Sequence, residues 1–181
     1  MYCAMADDRR PTRAELDAML SLGGDKPDRK HAAFRLMGER LDPGAITRAT
    51  GLTPHLSHSK GEPRPPTRTG KQPPPWPGGI WIVDSESAMA LGGNHLEDHL
   101  VWVLDQLEPH VETIQRLSEQ QDLMSDFWCG YFMGQANGGF GLNAKTVARI
   151  GALGADLCFD IYGEHAESEL EVWTRNARPP T

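Results

Sequence analysis

Apolar residues recur at two spacings along this chain, and the changes from one spacing to the other mark out its elements. In HAAFRLMG, starting at His31, Phe34 and Leu36 point one way and Arg35 the other, as in a half-buried strand. LDPGAITRATGL then carries helix punctuation. Asp42 suits the N-cap, Pro43 the first helical position and Gly51 the residue just past the end, with Ile46 and Ala49 facing in. Ile80 to Val83 (IWIV) returns to strand character. Asn94 and Glu97 stand at N-cap and N3 of a longer helix that lines up Leu96, Leu100, Val103, Leu104 and Leu107. Pro109 cannot sit inside that helix without removing a hydrogen bond. A break is expected there, followed by a second segment with Val111, Ile114 and Leu117.

Leu123 to Met133 reads as a long strand. Phe127, Cys129, Tyr131 and Met133 share one face, Trp128 and Phe132 the other, so both faces need cover. Asn137-Gly138 is a turn signal, and Phe140 opens a short hairpin return. Asn143 caps the last core helix. Leu142 and Val147 fit a hydrophobic staple, Val147, Ile150 and Leu153 are expected to bury, and Gly154 ends the helix. Leu157, Phe159 and Ile161 then alternate with Cys158, Asp160 and Tyr162. The order is β-α-loop-β-α-β-β-α-β. It predicts an α+β two-layer sandwich: a mixed, mostly antiparallel sheet with helices packed on one face.

The pattern places a single domain over residues 31–163, with an extension on either side. Residues 1–30 hold a short helix signal, with Thr12 and Glu15 at capping-box spacing, Leu16, Met19 and Leu20 behind them, and Gly23 and Gly24 as the stop. Residues 164–181 form a charged tail carrying Leu170, Val172 and Trp173, apolar residues with no place in the sheet that suggest a homodimer contact. The chain's 181 residues, 39 % hydrophobic and 24 % charged, suffice for one core. No apolar run reaches the ~18 residues that span a bilayer, and no secretory signal pattern opens the sequence. The three cysteines, Cys3, Cys129 and Cys158, are odd in number and widely spaced, which points to a reducing, cytoplasmic setting.

Charge changes the picture at one place. Eight of the 14 prolines lie in the 52–79 loop, where Lys60, Arg64, Arg68 and Lys71 face only Glu62 in a chain of net charge −7. Long structureless loops are usually functional or disordered. His55, His58, Lys60, Arg64, Arg68, Lys71 and Trp76 are therefore the candidate binding residues, able to meet an acidic protein surface. RPPT and KQPPPWP are compatible with polyproline II. The acidic body argues against nucleic acid as the partner.

Other chemistry is weaker. His95 and His99, at i and i+4, could share a metal. HLEDH lacks the glutamate position of HExxH, however, and capping accounts for Glu97 and Asp98. His55 and His58 alternate with Ser57 and Ser59, but no nucleophile elbow surrounds either serine. Cys129 and Cys158 read as small core hydrophobes. GQANGGFG is not a phosphate loop. No cofactor is expected.

The runs GERLDPGAITRATGLTP, WIVDSES, LEDHLVWVLDQLEP, GGFGLN and LGADLCFDIY together resemble the bacterial proteins grouped as domain of unknown function family 4279. The resemblance covers His31 to Gly163. The DPxxIT opening is its most specific part, although Ala49-Thr50 stands where a leucine is common, and FDIY closes it. It implies the same domain limits and an α+β fold, and it brings no catalytic residues. The expected function is a non-catalytic protein-interaction or regulatory, immunity-like module using the basic loop. The alternative is a small-molecule or metal-dependent enzyme, with a pocket under the loop and His55, His58, Arg64 and Trp76 at its mouth.

Overall fold

A computed structural model describes residues 28–89, 95–134 and 138–163. The short helix of the first 30 residues, Cys3, Asn94, Asn137 and the tail with Leu170, Val172 and Trp173 lie outside the described residues.

Strand β1 (Arg29–Gly38) begins two residues before His31 and is the centre of the sheet. It is followed by helix α1 (Pro43–Thr50), the short strand β2 (Leu56–His58), strand β3 (Gly79–Asp84) and helix α2 (Leu96–Leu107). Helix α3 (Val111–Gln121), strand β4 (Met124–Phe132), helix α4 (Ala144–Leu153) and strand β5 (Asp156–Tyr162) complete the domain. The strand order is β2-β3-β1-β4-β5. β1 pairs antiparallel with both β3 and β4, β2 pairs antiparallel with β3, and β4 pairs parallel with β5. The fold is thus α+β with a mixed, mostly antiparallel sheet, as the pattern predicted.

The caps explain where the helices stop. The Asp42 carboxylate accepts from the Ala45 amide at 3.0 Å, and Gly51 ends α1 at φ 72°. Asn143 accepts from Thr146 N at 2.9 Å, and Gly154 closes α4 at φ 68°. Left-handed φ at both ends is the conformation glycine adopts without steric cost. Pro109 falls in a single 3-10 turn, Glu108–His110, that separates α2 from α3.

One core fills the space between the sheet and the helices. Ala32, Phe34 and Leu36 of β1, Trp81 and Val83 of β3, and Phe127 and Cys129 of β4 form its floor. Ile46, Ile114, Leu117, Ile150, Leu153 and the Leu96, Leu100, Val103, Leu104 and Leu107 face of α2 cover it. Period-two alternation places the remaining strand side chains on the sheet's other face.

Five local expectations are corrected. In α1, Ala49 is exposed and Thr50 buries beside Ile46 in its place. The α2 N-cap is His95, with Asp98 at N3 accepting from the His95 amide at 3.0 Å, so the cap sits one residue later than Asn94-Glu97. No strand forms over described residues 138–143, so β5 joins β4 through α4 as a parallel neighbour and not through a hairpin. Phe140 is held there by rings instead: Tyr131 meets it edge-on at 5.7 Å and Phe159 stacks at 4.9 Å. Val147 is 50 % exposed, and Thr146 buries in its place. Phe159 and Ile161 are 37 % and 55 % exposed because β5 is an edge strand.

Truncating Leu104 to alanine removes a fully buried side chain. Denaturant unfolding is expected to show a loss of about 2–5 kcal/mol. Val147→Ala is expected to stay within about 0.5 kcal/mol.

Candidate functional site

Most of the 52–79 loop is a built excursion. It opens with β2, whose Leu56 lies opposite Ile82 and whose His58 lies opposite Ile80. The outgoing and returning arms then hydrogen-bond to each other: Gly61 N to Trp76 O at 2.8 Å and Trp76 N to Glu62 O at 3.0 Å. Further out, Gln72 Nε2 reaches Arg64 O at 2.8 Å. A turn closes the tip, where Thr67 N donates to Lys71 O at 2.9 Å and Lys71 N donates to Thr67 Oγ1 at 3.1 Å. Prolines on both arms donate no hydrogen bond and fix φ, which stiffens an excursion with few ladder bonds.

Trp76 is the hub. The His58 imidazole stacks on it at 3.9 Å and 5° between planes, and Arg64 Cζ lies 4.0 Å from the ring centre. Two groups this near one ring centre cannot share a face, so Trp76 is sandwiched between them. Burial lowers His58 below the usual histidine range, outweighing Glu62 and nearby backbone groups that act to raise it. Arg64 makes no ion pair among the described residues, and its Nε is buried without a hydrogen-bond partner. Lys60 is different: its ammonium meets Glu39 at 2.7 Å, which neutralises part of the loop's charge. His55, Arg68 and Lys71 are exposed.

Because His58 pairs with Ile80, which does not point into the core, this stack adjoins the sheet face that no helix among the described residues covers. That face is a ladder of aromatics and paired charges. Arg35 and Asp126 form a two-point ion pair at 2.8 and 2.6 Å, and the guanidinium lies 5.4 Å from the Trp128 ring centre. Trp128 Nε1 donates to Asp160 at 2.7 Å. Phe132 stacks on Tyr162 at 4.6 Å and 6°, and Arg29 lies 5.1 Å from the Phe132 centre.

A second cluster lies where β3 ends beside β1. Ser85 Oγ accepts from Ala32 N at 3.0 Å and is joined to His99 Nδ1 at 2.9 Å. His99 is fully buried, and its Nε2 has no partner among the described residues. Burial holds His99 below the ordinary histidine range, with His31 contributing in the same direction. On the other side of Ser85, Asp84 accepts from Glu86 N at 2.7 Å and stands 3.5 Å from His31 Nδ1. Burial alone would raise the Asp84 carboxyl, but the His31 imidazole and the Glu86 amide outweigh it and keep it below its usual value. The structure thus separates the pair His95 and His99. His95 caps α2, and His99 points into the interior toward Ser85.

The sequence reading missed His31, Asp84, Ser85 and Glu86. Its available signal was the polar run Asp84-Ser85-Glu86 at the end of an apolar strand. Only the β1–β3 register brings His31 to it. Cys129 matches the core reading, and burial pushes its thiol up to about 12. Cys158 does not, because it is half-buried opposite Trp128 on the face away from the core, where burial and Asp126 raise it. Neither is an activated nucleophile. Two surface clefts of about 470 and 480 Å³ lie near Asp122, and no residue of the excursion lines them. No helix among the described residues is long and apolar enough to cross a membrane.

The buried histidines give a pH prediction. Both are held below the ordinary histidine value of about 6.5, so as the pH falls through that range the unfolded chain binds more protons than the folded one. Stability therefore rises with pH through this window and is lost on acidification. The thermal midpoint is expected to fall between about pH 7 and about pH 5. His99→Asn should flatten that slope while His58 retains its share.

No curated protein and no solved structure matches the chain. The family described as Domain of unknown function (DUF4279) matches residues 28–164, well over half of the 181-residue sequence. The match begins at Asp28, whose carboxylate accepts from Tyr131 Oη at 2.6 Å and Gly134 N at 3.0 Å, and runs through β5. The chain belongs to the DUF4279 family.

Proposed function

We propose that this protein is a cytoplasmic, non-catalytic interaction or regulatory module, immunity-like in type, that docks an acidic partner protein on the excursion and the adjoining sheet face. The observation that carries this reading is the Trp76 sandwich. A Pro-rich basic segment held in one shape loses little conformational freedom on binding, and preorganisation of that kind favours affinity. Arg64, stacked on Trp76 and without an ion pair among the described residues, suits a partner carboxylate, and a stacked guanidinium pairs in a fixed plane. Trp and Arg are also the residue types that dominate binding energy at protein interfaces. Exposed Lys71 adds charge at the tip. The Trp128, Phe132 and Tyr162 ladder extends the same surface with rigid rings.

The test compares native-lysate capture by the full chain with capture by Arg64→Glu and Trp76→Ala variants. A specific partner retained by the full chain is expected to be lost by about tenfold or more with Arg64→Glu. The Arg64→Glu unfolding midpoint should stay close to the parent. Identical capture profiles for the parent and both folded variants would falsify the reading.

A further inference from the structure

We propose that His31, Asp84 and Glu86 form a binding site for one transition-metal dication of the zinc type. One ligand atom from each residue lies within 4.8 Å of the other two. An imidazole nitrogen with two carboxylate oxygens is a donor set zinc accepts, and two carboxylates with a neutral imidazole balance a +2 charge.

The His31 ring is seated, not loose. It packs edge-on to Trp128 at 4.9 Å and nearly parallel to Phe132 at 6.1 Å. Its Nε2 side lies over Gly130, where a built Cβ would come within 2.2 Å of Nε2. This fixes the direction of Nδ1. The residue is only 8 % exposed, and Nδ1 is buried without a hydrogen bond. It faces Asp84 Oδ1 at 3.5 Å. That gap is longer than a charge-assisted hydrogen bond of about 2.7–2.9 Å. It is close to the separation of two tetrahedral ligands, roughly 3.3 Å for metal–ligand bonds of about 2.0–2.1 Å. The pair is spaced to hold an ion between its atoms.

Asp84 is held from the other side by the Glu86 amide at 2.7 Å, which orients the carboxylate. Glu86 is exposed on the 3-10 turn Ser85–Ser87, so the third ligand can close from solvent and leaves a route in. Three protein donors leave a fourth position for water or an incoming ligand. The site uses no residue of the excursion, so it stands or falls independently of the docking role.

The full chain, stripped with a chelator, is titrated with Zn²⁺ by calorimetry and with Co²⁺ by visible absorption. One saturable equivalent of Zn²⁺ and an intense, tetrahedral-type Co²⁺ spectrum are expected. Glu86→Gln removes an exposed side chain. It should weaken binding at least about tenfold, the loss typical even of residues that only support a metal ligand, and leave the unfolding midpoint in chelator unchanged. Asp84→Asn should weaken binding in the same way. Absence of a stoichiometric Zn²⁺ equivalent overturns the proposal. So does unchanged affinity in Glu86→Gln, which would place the ion on other histidines or on Cys3.

Discussion

The double pairing of β1 is the constraint from which the rest of the domain follows. This ten-residue strand is hydrogen-bonded on both edges, to β3 along Ala33–Gly38 and to β4 along Arg29–Met37. Its helix-facing side, Ala32, Phe34 and Leu36, is buried under α2. A one-residue slip against either neighbour would turn those residues toward solvent and drive His31 and Arg35 into the core. Register is therefore strongly specified, and it fixes more than packing. It sets Arg35 opposite Asp126, brings His31 over Gly130, and carries the Asp84-Ser85-Glu86 corner to the start of β1.

The two faces of the sheet do different work. The helix side is a dry core whose cost of disruption is cavity formation. The other side keeps its large side chains in place by pairing them: Arg35 with Asp126, Trp128 with Asp160, Phe132 with Tyr162. Rings and charges fixed in this way stay partly accessible without becoming floppy. The excursion extends the surface by the same device, since Trp76 is clamped by His58 and Arg64 and not by a core. Burial of His58 and His99 then ties the stability of both regions to pH in one direction.

Edge strands show the limit of local pattern. β2 is three residues long and lies within a segment whose composition reads as loop, because prolines and charges outnumber its apolar residues. Leu56-Ser57-His58 becomes a strand because β3 offers an unpaired edge. Conversely, Phe140 carries a strand-like signal but is captured by Tyr131 and Phe159 before any ladder forms. In both cases a non-local partner overrode local preference.

The sequence by itself determined the helices and most of the strands. Caps such as Asp42 and Asn143, stops such as Gly51 and Gly154, and the α2 stripe act over a few residues, so they can be read in order along the chain. It also singled out His58, Arg64 and Trp76, since their composition stands out from an acidic body. It could not show that Trp76 lies between the other two, or that His31 meets Asp84 and Glu86 while His99 turns to Ser85. The Trp76 stack depends on how the two arms of the excursion pair, and the His31 cluster on a strand register that joins residues more than 50 positions apart, such as Ala32 and Ser85. Only packing all the elements at once around β1 decides them.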